Sequence, residues 1–500
     1  MNKYALKNAI SSALSYGVLL IFNVITSKVI LVGYGSEVNG LLSSINQIFS
    51  YIALMEAGIG TATITALYKP IADKNYRSIG DVLATSKYYY SSSAKWYAVC
   101  VLAISFIWPY LIDTTVPVWE TQLLIIFQGI SGIITFCYTS TITNYLIARG
   151  KNYINNHVHI VATLSTYILK LFICYMNANV VFISLSLIAV NLGKCLFYRS
   201  AMKKLGEDYC SCGKVNIALL NQRNAFLAHE ISGVIFAGTD MIIISVFCGL
   251  KEASVYAVYA MVFSSLASII GQVFNGTNFV LGKSYAEEEA QYPVVHDGYN
   301  RIYILLVFAV FTVAYYCIIP FVALYTKGIA DVNYIDERLP LLFVSVQLLS
   351  SCRIVDNQLI KLSMHAKKTI KYSVIESAIN LLFSILLVQF VGIYGVLLGT
   401  ILALLYRSNN ITLYANHVIL RRSAKKAYGI YGLNICIFAV LAALRKMMVI
   451  PITTYLQLLL WAAVCSVSAV ILYFAINLLM DSQLRKMFTG LFAKRRSTEM

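Results

Sequence analysis

Charge is what this sequence has least of. Lys, Arg, Asp and Glu together make up 12% of its 500 residues, and only 22 residues are acidic. Soluble domains carry about 25% charged residues, so a water-exposed globular protein of this length is excluded. Long polar loops are missing too. The longest stretch expected beyond the bundle, around Tyr325 to Arg338, is too short to build a domain. No HExxH or GxSxG occurs, which removes two common signatures of hydrolytic sites. The stretch GTNFVLGKS from Gly276 looks like a phosphate loop, but its glycines stand one residue too far apart for a Walker A, and no strand precedes it. An ATP-driven pump built on this chain alone is excluded with it. The 11 cysteines fall mostly within apolar runs, where Cys behaves as a small apolar residue. The lone pair Cys210 and Cys212 is too little for a metal site, so neither a metal nor a cofactor is expected.

What the sequence has instead is apolar length. Hydrophobic residues make up 59% of it, in runs of the roughly 20 residues that cross a hydrocarbon core as a helix. The runs are continuous rather than alternating, which implies helices and not a barrel. Fourteen spans are predicted: 8–32, 38–66, 88–108, 121–148, 157–176, 180–198, 222–248, 253–282, 301–325, 339–361, 371–391, 394–416, 428–444 and 453–479. The first follows Lys3 and Lys7, is too long for a signal-peptide core and lacks a cleavage site, so it is expected to stay as a span. Alternate connections hold most of the 39 Lys and Arg, and with the N-terminus inside these are the cytoplasmic ones. The reading is an all-α polytopic membrane protein with both termini cytoplasmic. Its net charge of +17 is mostly this positive-inside bias and needs no nucleic-acid partner. The basic tail LFAKRRSTEM reads as a stop-transfer flank against anionic membrane lipids, and the acidic EEEA at 287–290 as a solvated loop.

An internal repeat is visible at an offset of 214 residues, where IFSYIA (48–53) falls on VFSSLA (262–267) and Gly35 on Gly249. Six spans return a chain to its starting side, so spans 1–6 and 7–12 form two equivalent six-helix bundles related by a pseudo-twofold axis along the membrane normal. The expected organisation is an N-terminal bundle at 1–198, a cytoplasmic linker at 199–221, a C-terminal bundle at 222–416, and two further helices with a tail at 417–500. Such halves suit a transporter that alternates access by rocking.

Charges inside the membrane are costly and mark function or pairing. Lys95, Lys194 and Lys28 lie near span ends, where snorkelling explains them. Lys170, Arg353 and Arg407 lie deeper, as do Glu56, Glu230, Asp240 and Asp356, while Glu376 is near the cytoplasmic end of its span. His159, Thr163, Thr166 and Lys170 form one stripe at helical spacing, and His229, Gly233, Phe236 and Asp240 another. The second stripe is either a proton or cation site or a buried packing pair. Arg353 and Asp356, three residues apart, are expected to neutralise each other, while Arg407 has no acid within a turn. Glu56 shares a helical face with Ala53, Gly60 and Thr63, a strip of small residues that invites close contact. A cavity lined by Lys and Arg would suit a phosphate or pyrophosphate headgroup, and one lined by acids and rings an organic cation.

Two stretches carry a resemblance. GSEVNGLLSSINQIFSYIALMEAGIGTATI and GTDMIIISVFCGLKEASVYAVYAMVF resemble the bacterial polysaccharide flippases, the Wzx-like branch of the multidrug/oligosaccharidyl-lipid/polysaccharide exporter superfamily. The family's second span typically carries an acid followed by Gly-x-Gly, matched by Glu56, Gly58 and Gly60. Its seventh carries an Asp, an apolar run, a Gly and a Tyr, matched by Asp240, Gly249 and Tyr256. The resemblance implies a V-shaped pair of six-helix bundles in the bacterial cytoplasmic membrane. These pass undecaprenyl-pyrophosphate-linked oligosaccharide units outward, driven by a proton or sodium gradient, for capsule, O-antigen or exopolysaccharide assembly. It also implies transport rather than enzymatic activity, alongside glycosyltransferases and a polysaccharide polymerase. On this reading Lys170, Arg407, Arg353 and Lys28 bind pyrophosphate or sugar, and His229, Asp240, Glu56 and Glu230 couple the ion. The alternative is a lipid II flippase or a multidrug/cation antiporter of the same fold.

Overall fold

The computed structural model describes residues 3–56, 58–204, 213–220, 238–287, 292–363, 365–445, 452–480 and 485. His229, Glu230, Gly233, Phe236, the Cys210 and Cys212 pair, the basic tail and most of EEEA lie outside these residues.

Sixteen α-helices lie among the described residues: α1 (Lys3–Ile52), α2 (Ile59–Ala72), α3 (Tyr76–Leu111), α4 (Val118–Ile134), α5 (Ser140–Ala148), α6 (Asn152–Tyr175), α7 (Val181–Lys204), α8 (Gly238–Phe247), α9 (Leu250–Glu287), α10 (Tyr292–Tyr325), α11 (Leu339–Cys352), α12 (Ile354–Leu362), α13 (Ala366–Val391), α14 (Ile393–Leu413), α15 (Lys425–Arg445) and α16 (Tyr455–Met480). Twelve helical stretches among the described residues are long and apolar enough to cross a membrane. The fourteen expected spans differ from this for two physical reasons. The first lies in α1, which leaves helical geometry at Gly35 (φ 83°), and the second runs from the rest of α1 through the turn Ala53–Glu56 into α2, so that Ile21–Ile52 forms one spanning stretch; the seventh is described only over α8.

Gly35 and its repeat mate Gly249 (φ 88°) both occupy left-handed backbone, a region that glycine enters at no steric cost. The chain clusters into two compact units, Met1–Val255 with Gly328–Val332, and Tyr256–Lys327 with Asn333–Met500. Residues 213–220, the end of the expected linker, dock on α3: the Lys214 amide donates to Asp81 Oδ1 at 2.7 Å and the Asn216 amide to Thr85 Oγ1 at 2.9 Å.

Each unit is packed by the devices lipid solvent demands, small residues and interhelical hydrogen bonds. In the second unit α13 and α14 join through Gly392 alone, and GVLLG (395–399) brings them together. A Cβ on Gly395 would lie 2.3 Å from the Leu387 carbonyl oxygen, and one on Gly399 2.6 Å from the Ser384 amide nitrogen. Helix α16 exposes Leu456, Leu459, Leu460 and Val467 and buries Tyr473 and Asn477, the inverse of a soluble helix. Asn434 and Asn477 exchange hydrogen bonds of 3.3 and 3.0 Å, and Tyr473 meets Thr312 at 2.9 Å. Phe263 stacks on Phe343 at 5.4 Å between ring centres.

Candidate functional site

In the first unit, α1 resumes after Gly35 with amides that no preceding turn can satisfy. A side chain from the loop between α10 and α11 supplies the cap. Asp331 accepts from the Ser36 amide at 2.9 Å through Oδ2 and from the Ser36 hydroxyl at 2.6 Å through Oδ1. Glu37 accepts from Thr114 at 2.7 Å and Thr115 Oγ1 at 2.9 Å, and Lys251 lies within electrostatic reach of both acids. One turn on, Asn39 donates to Ser254 at 2.7 Å, and a Cβ on Gly40 would lie 1.9 Å from the Leu250 carbonyl oxygen. Residues near both repeat glycines thus form one clamp.

Partial burial alone would raise the Asp331 carboxyl, but the Ser36 hydroxyl and amide, with Lys251, outweigh it and hold it below the ordinary aspartate value. A depressed value in the clamped form means that the contact contributes fully above the ordinary aspartate range and is lost as pH falls through the depressed value. The clamp is therefore expected to be pH-independent from neutral down to about pH 4 and to weaken below it. Disulfide trapping between Ser36→Cys and Asp331→Cys reports the closed distance. Accessibility of a cysteine at Ser254 as pH is lowered, with and without Asp331→Asn, reports the titration. The change is small because Asp331 is exposed.

Glu56 sits where span two stops being a continuous helix. A 3-10 turn at Ala53–Glu56 gives way to Gly58, which caps α2 in left-handed conformation (φ 79°). Of the expected strip, Glu56 and Gly60 both meet α5, at Ser140 and Asn144 one turn apart, whereas Ala53 does not join it. Ala53 is exposed, and Thr63 is buried and donates to Ile59 O at 2.7 Å and Ser86 Oγ at 3.0 Å. Gly60 meets Asn144, which donates to Tyr90 at 2.8 Å. Ser140 donates to Glu56 at 3.4 Å from the end of a π-helical segment, Thr135–Thr139. Two helix irregularities therefore meet at one carboxylate, and π-bulges recur at functional sites.

The other expected residues of this unit are placed as follows. Asp240 is buried at the start of α8, near Tyr51 and beside Gly238, where a Cβ would lie 1.9 Å from Gln47 Nε2. Lys170 is half-buried on α6, one turn from Cys174 and close to it electrostatically. Lys28 is half-buried on α1, and His159, at the far end of the Lys170 stripe, is exposed. Lys194 lines an apolar groove of about 330 Å³ between α6 and α7.

In the second unit the expected partners change. Arg353 pairs with Glu376 and not with Asp356, although Asp356 is nearer in sequence. The reason is that α11 ends at Arg353 and a new helix, α12, begins after it, so helical i,i+3 pairing does not carry across. Arg407 Nε approaches Glu376 Oε2 at 3.7 Å, and its Nη1 donates to the Thr369 carbonyl at 2.9 Å. Two guanidiniums from different helices thus share one carboxylate that is 4% exposed. Asp356 faces His296, with Nε2 3.2 Å from Oδ1. Asp297 holds Arg422 by a bidentate contact, one arm being 2.9 Å. The apolar run predicts span nine from 301, whereas α10 begins at Tyr292, so His296 and Asp297 fall outside the predicted span. The usable signal was the stripe Tyr292, His296, Asn300 and Tyr303 at helical spacing.

No protein-family profile and no curated sequence matches this chain. Solved structures do. A multidrug resistance MATE family transporter of the MOP superfamily, in an inward-facing conformation, superposes with a TM-score of 0.68 at 14% identity, over 84% of this chain and 99% of its own. The lipid II flippase MurJ, in an inward closed conformation, gives 0.67 at 11% identity, over 94% and 98%. A MOP superfamily transporter from Pyrococcus furiosus, described by the reverse polarity of its binding pocket, gives 0.57 at 13%, over 84% and 97%. The chain has the fold these transporters and flippases share.

Proposed function

We propose that this chain is a MOP-superfamily flippase of the bacterial cytoplasmic membrane. It carries an undecaprenyl-pyrophosphate-linked oligosaccharide from the cytoplasmic to the outer leaflet by ion-coupled alternating access. The observation that carries the reading is likeness to a lipid flippase over 94% of the chain, combined with an excess of buried guanidinium over carboxylate at Arg353, Arg407 and Glu376. Two buried guanidiniums brought to one carboxylate favour an anion, and pyrophosphate matches the planar fork of each. Lys170 and Arg407 are assigned to the pyrophosphate, with Arg353 and Lys28 in support. Glu56, Asp240, His229 and Glu230 are assigned to coupling. In this orientation the Gly35 and Gly249 clamp falls on the outer side of the membrane.

A second reading, lipid II or multidrug transport, is favoured by the MurJ and MATE likenesses themselves. The two readings separate on substitution. Lys170→Ala and Arg407→Ala are each expected to lower export of the sugar polymer at least about tenfold, the loss of one charge-assisted contact, at unchanged protein level. Glu56→Gln is expected to abolish the gradient dependence of export. Export that persists in both cation variants, together with lost resistance to organic cations, supports the second reading.

A further inference from the structure

One face of α10 carries Tyr292, His296, Asn300 and Tyr303 at helical spacing, each no more than 6% exposed. The Tyr292 hydroxyl has no hydrogen-bond partner among the described residues, and the His296 imidazole stands with Nδ1 3.7 Å from Asp297 Oδ1 and Nε2 3.2 Å from Asp356 Oδ1. Facing them from α12 is Asp356, 1% exposed, whose carboxylate oxygens have no hydrogen-bond partner among the described residues besides the 3.2 Å approach of His296. Native interiors leave few such atoms unmatched, and a cluster of them marks a place where a proton or water belongs.

We infer that His296 and Asp356 form a proton-binding site, with the α10 stripe as its polar lining. The charges around it show why. Asp297 is matched by Arg422 through two hydrogen bonds, and Glu376 by Arg353 and Arg407, which leaves Asp356 as the acid whose nearest basic atom, 3.2 Å away, is an imidazole nitrogen. With His296 neutral, a carboxylate stands buried beside an uncharged ring. One proton on the ring makes the pair neutral overall and turns the 3.2 Å approach into a charge-assisted contact. No covalent bond is made or broken, and the proton comes from water.

Among the described residues the titratable and charged groups that face the pair are Tyr292 and Asp297 on α10 itself, Cys352 on α11, and Tyr428 and Tyr431 on α15, with Arg422 held behind Asp297. Tyr431 is fixed by donating to the Cys352 carbonyl at 2.9 Å. A hard metal cation would favour an oxygen shell rather than a central imidazole. Among the described residues no group of three or more His, Cys, Asp or Glu could hold a metal ion.

The test uses the full chain with ¹⁵N-labelled histidine in lipid nanodiscs. The His296 imidazole signals are identified by subtracting the His296→Gln spectrum and followed from about pH 5 to pH 9. The expected result is a protonation step of His296 within this range, with Asp356→Asn lowering its proton affinity about tenfold or more and Asp356→Glu restoring most of it. A ring that keeps one state throughout, indifference to Asp356→Asn, or loss of the step when sodium replaces choline would each overturn the site. If Asp356→Asn does not fold, the wild-type titration in sodium and in choline decides alone. That this proton drives movement rests on the flippase reading. The titration needs no lipid-linked sugar, so a flat curve removes the proton site and leaves that reading standing, while failed transport does the reverse.

Discussion

Replacing Glu376 with Ala is expected to destabilise the protein by about 3–5 kcal/mol, the cost of removing one partner from a buried ion pair. The carboxylate is 4% exposed and holds Arg353 directly and Arg407 at 3.7 Å, so its loss leaves two guanidiniums in an apolar surround. Arg407→Ala removes the surplus charge and leaves the Arg353 and Glu376 pair intact. It is expected to cost much less, even though it truncates a longer side chain. Thermal unfolding of the purified variants measures both. Adding Arg407→Ala to Glu376→Ala should recover part of the loss, because the second substitution deletes a charge the first one stranded. Equal costs for the two single variants would mean that water reaches the guanidiniums and that the cluster is solvated.

Gly40→Leu is expected to force the clamp open. The obstacle to any side chain there is the backbone of Leu250, whose carbonyl oxygen would lie 1.9 Å and carbonyl carbon 2.8 Å from the new Cβ. A rotamer change cannot relieve a clash with backbone, so α1 and the start of α9 must separate. Overpacking of this kind costs about 1–3 kcal/mol. Applied to an equilibrium between closed and open clamps, that shifts the ratio about 5- to 150-fold. A cysteine in place of the buried Ser254, in a chain otherwise free of reactive cysteine, should become correspondingly more accessible to a water-soluble thiol reagent. Gly193→Leu is the control, since a Cβ there meets nothing within 4 Å, and it is expected to change the labelling little. Labelling that is the same in both variants would show that close approach at Gly40 does not hold the clamp.

The features legible in sequence were those written in a single helix or in a repeat. Apolar runs placed the helices, because a spanning segment must be long and continuous. Gly35 and Gly249 align at the repeat offset, and both take a positive φ that glycine adopts readily. The acid and glycines of span two were found as a motif. That Gly58 ends one helical turn and caps the next is not visible to an argument assuming an unbroken helix. Pairing across helices was beyond reach for a related reason. Arg353, Glu376 and Arg407 come from distant segments, and nothing in their spacing announces that they meet. Asp356 was assigned to Arg353 by nearness along the chain, and its true neighbour His296 was left in a loop because Tyr292 and Tyr299 sit in a polar stretch whose helical period is short. Burial decided all three cases, and burial is a property of the fold.

The most direct measurement of the central claim is the identity and sidedness of the lipid-linked sugar in cells lacking this protein. The account predicts that an undecaprenyl-pyrophosphate oligosaccharide accumulates with its sugar on the cytoplasmic side, and that the wild-type chain clears it while the Lys170→Ala, Arg407→Ala double variant does not. Normal sidedness of every such lipid in the absence of the protein, or clearance by the double variant at wild-type rate, would contradict it.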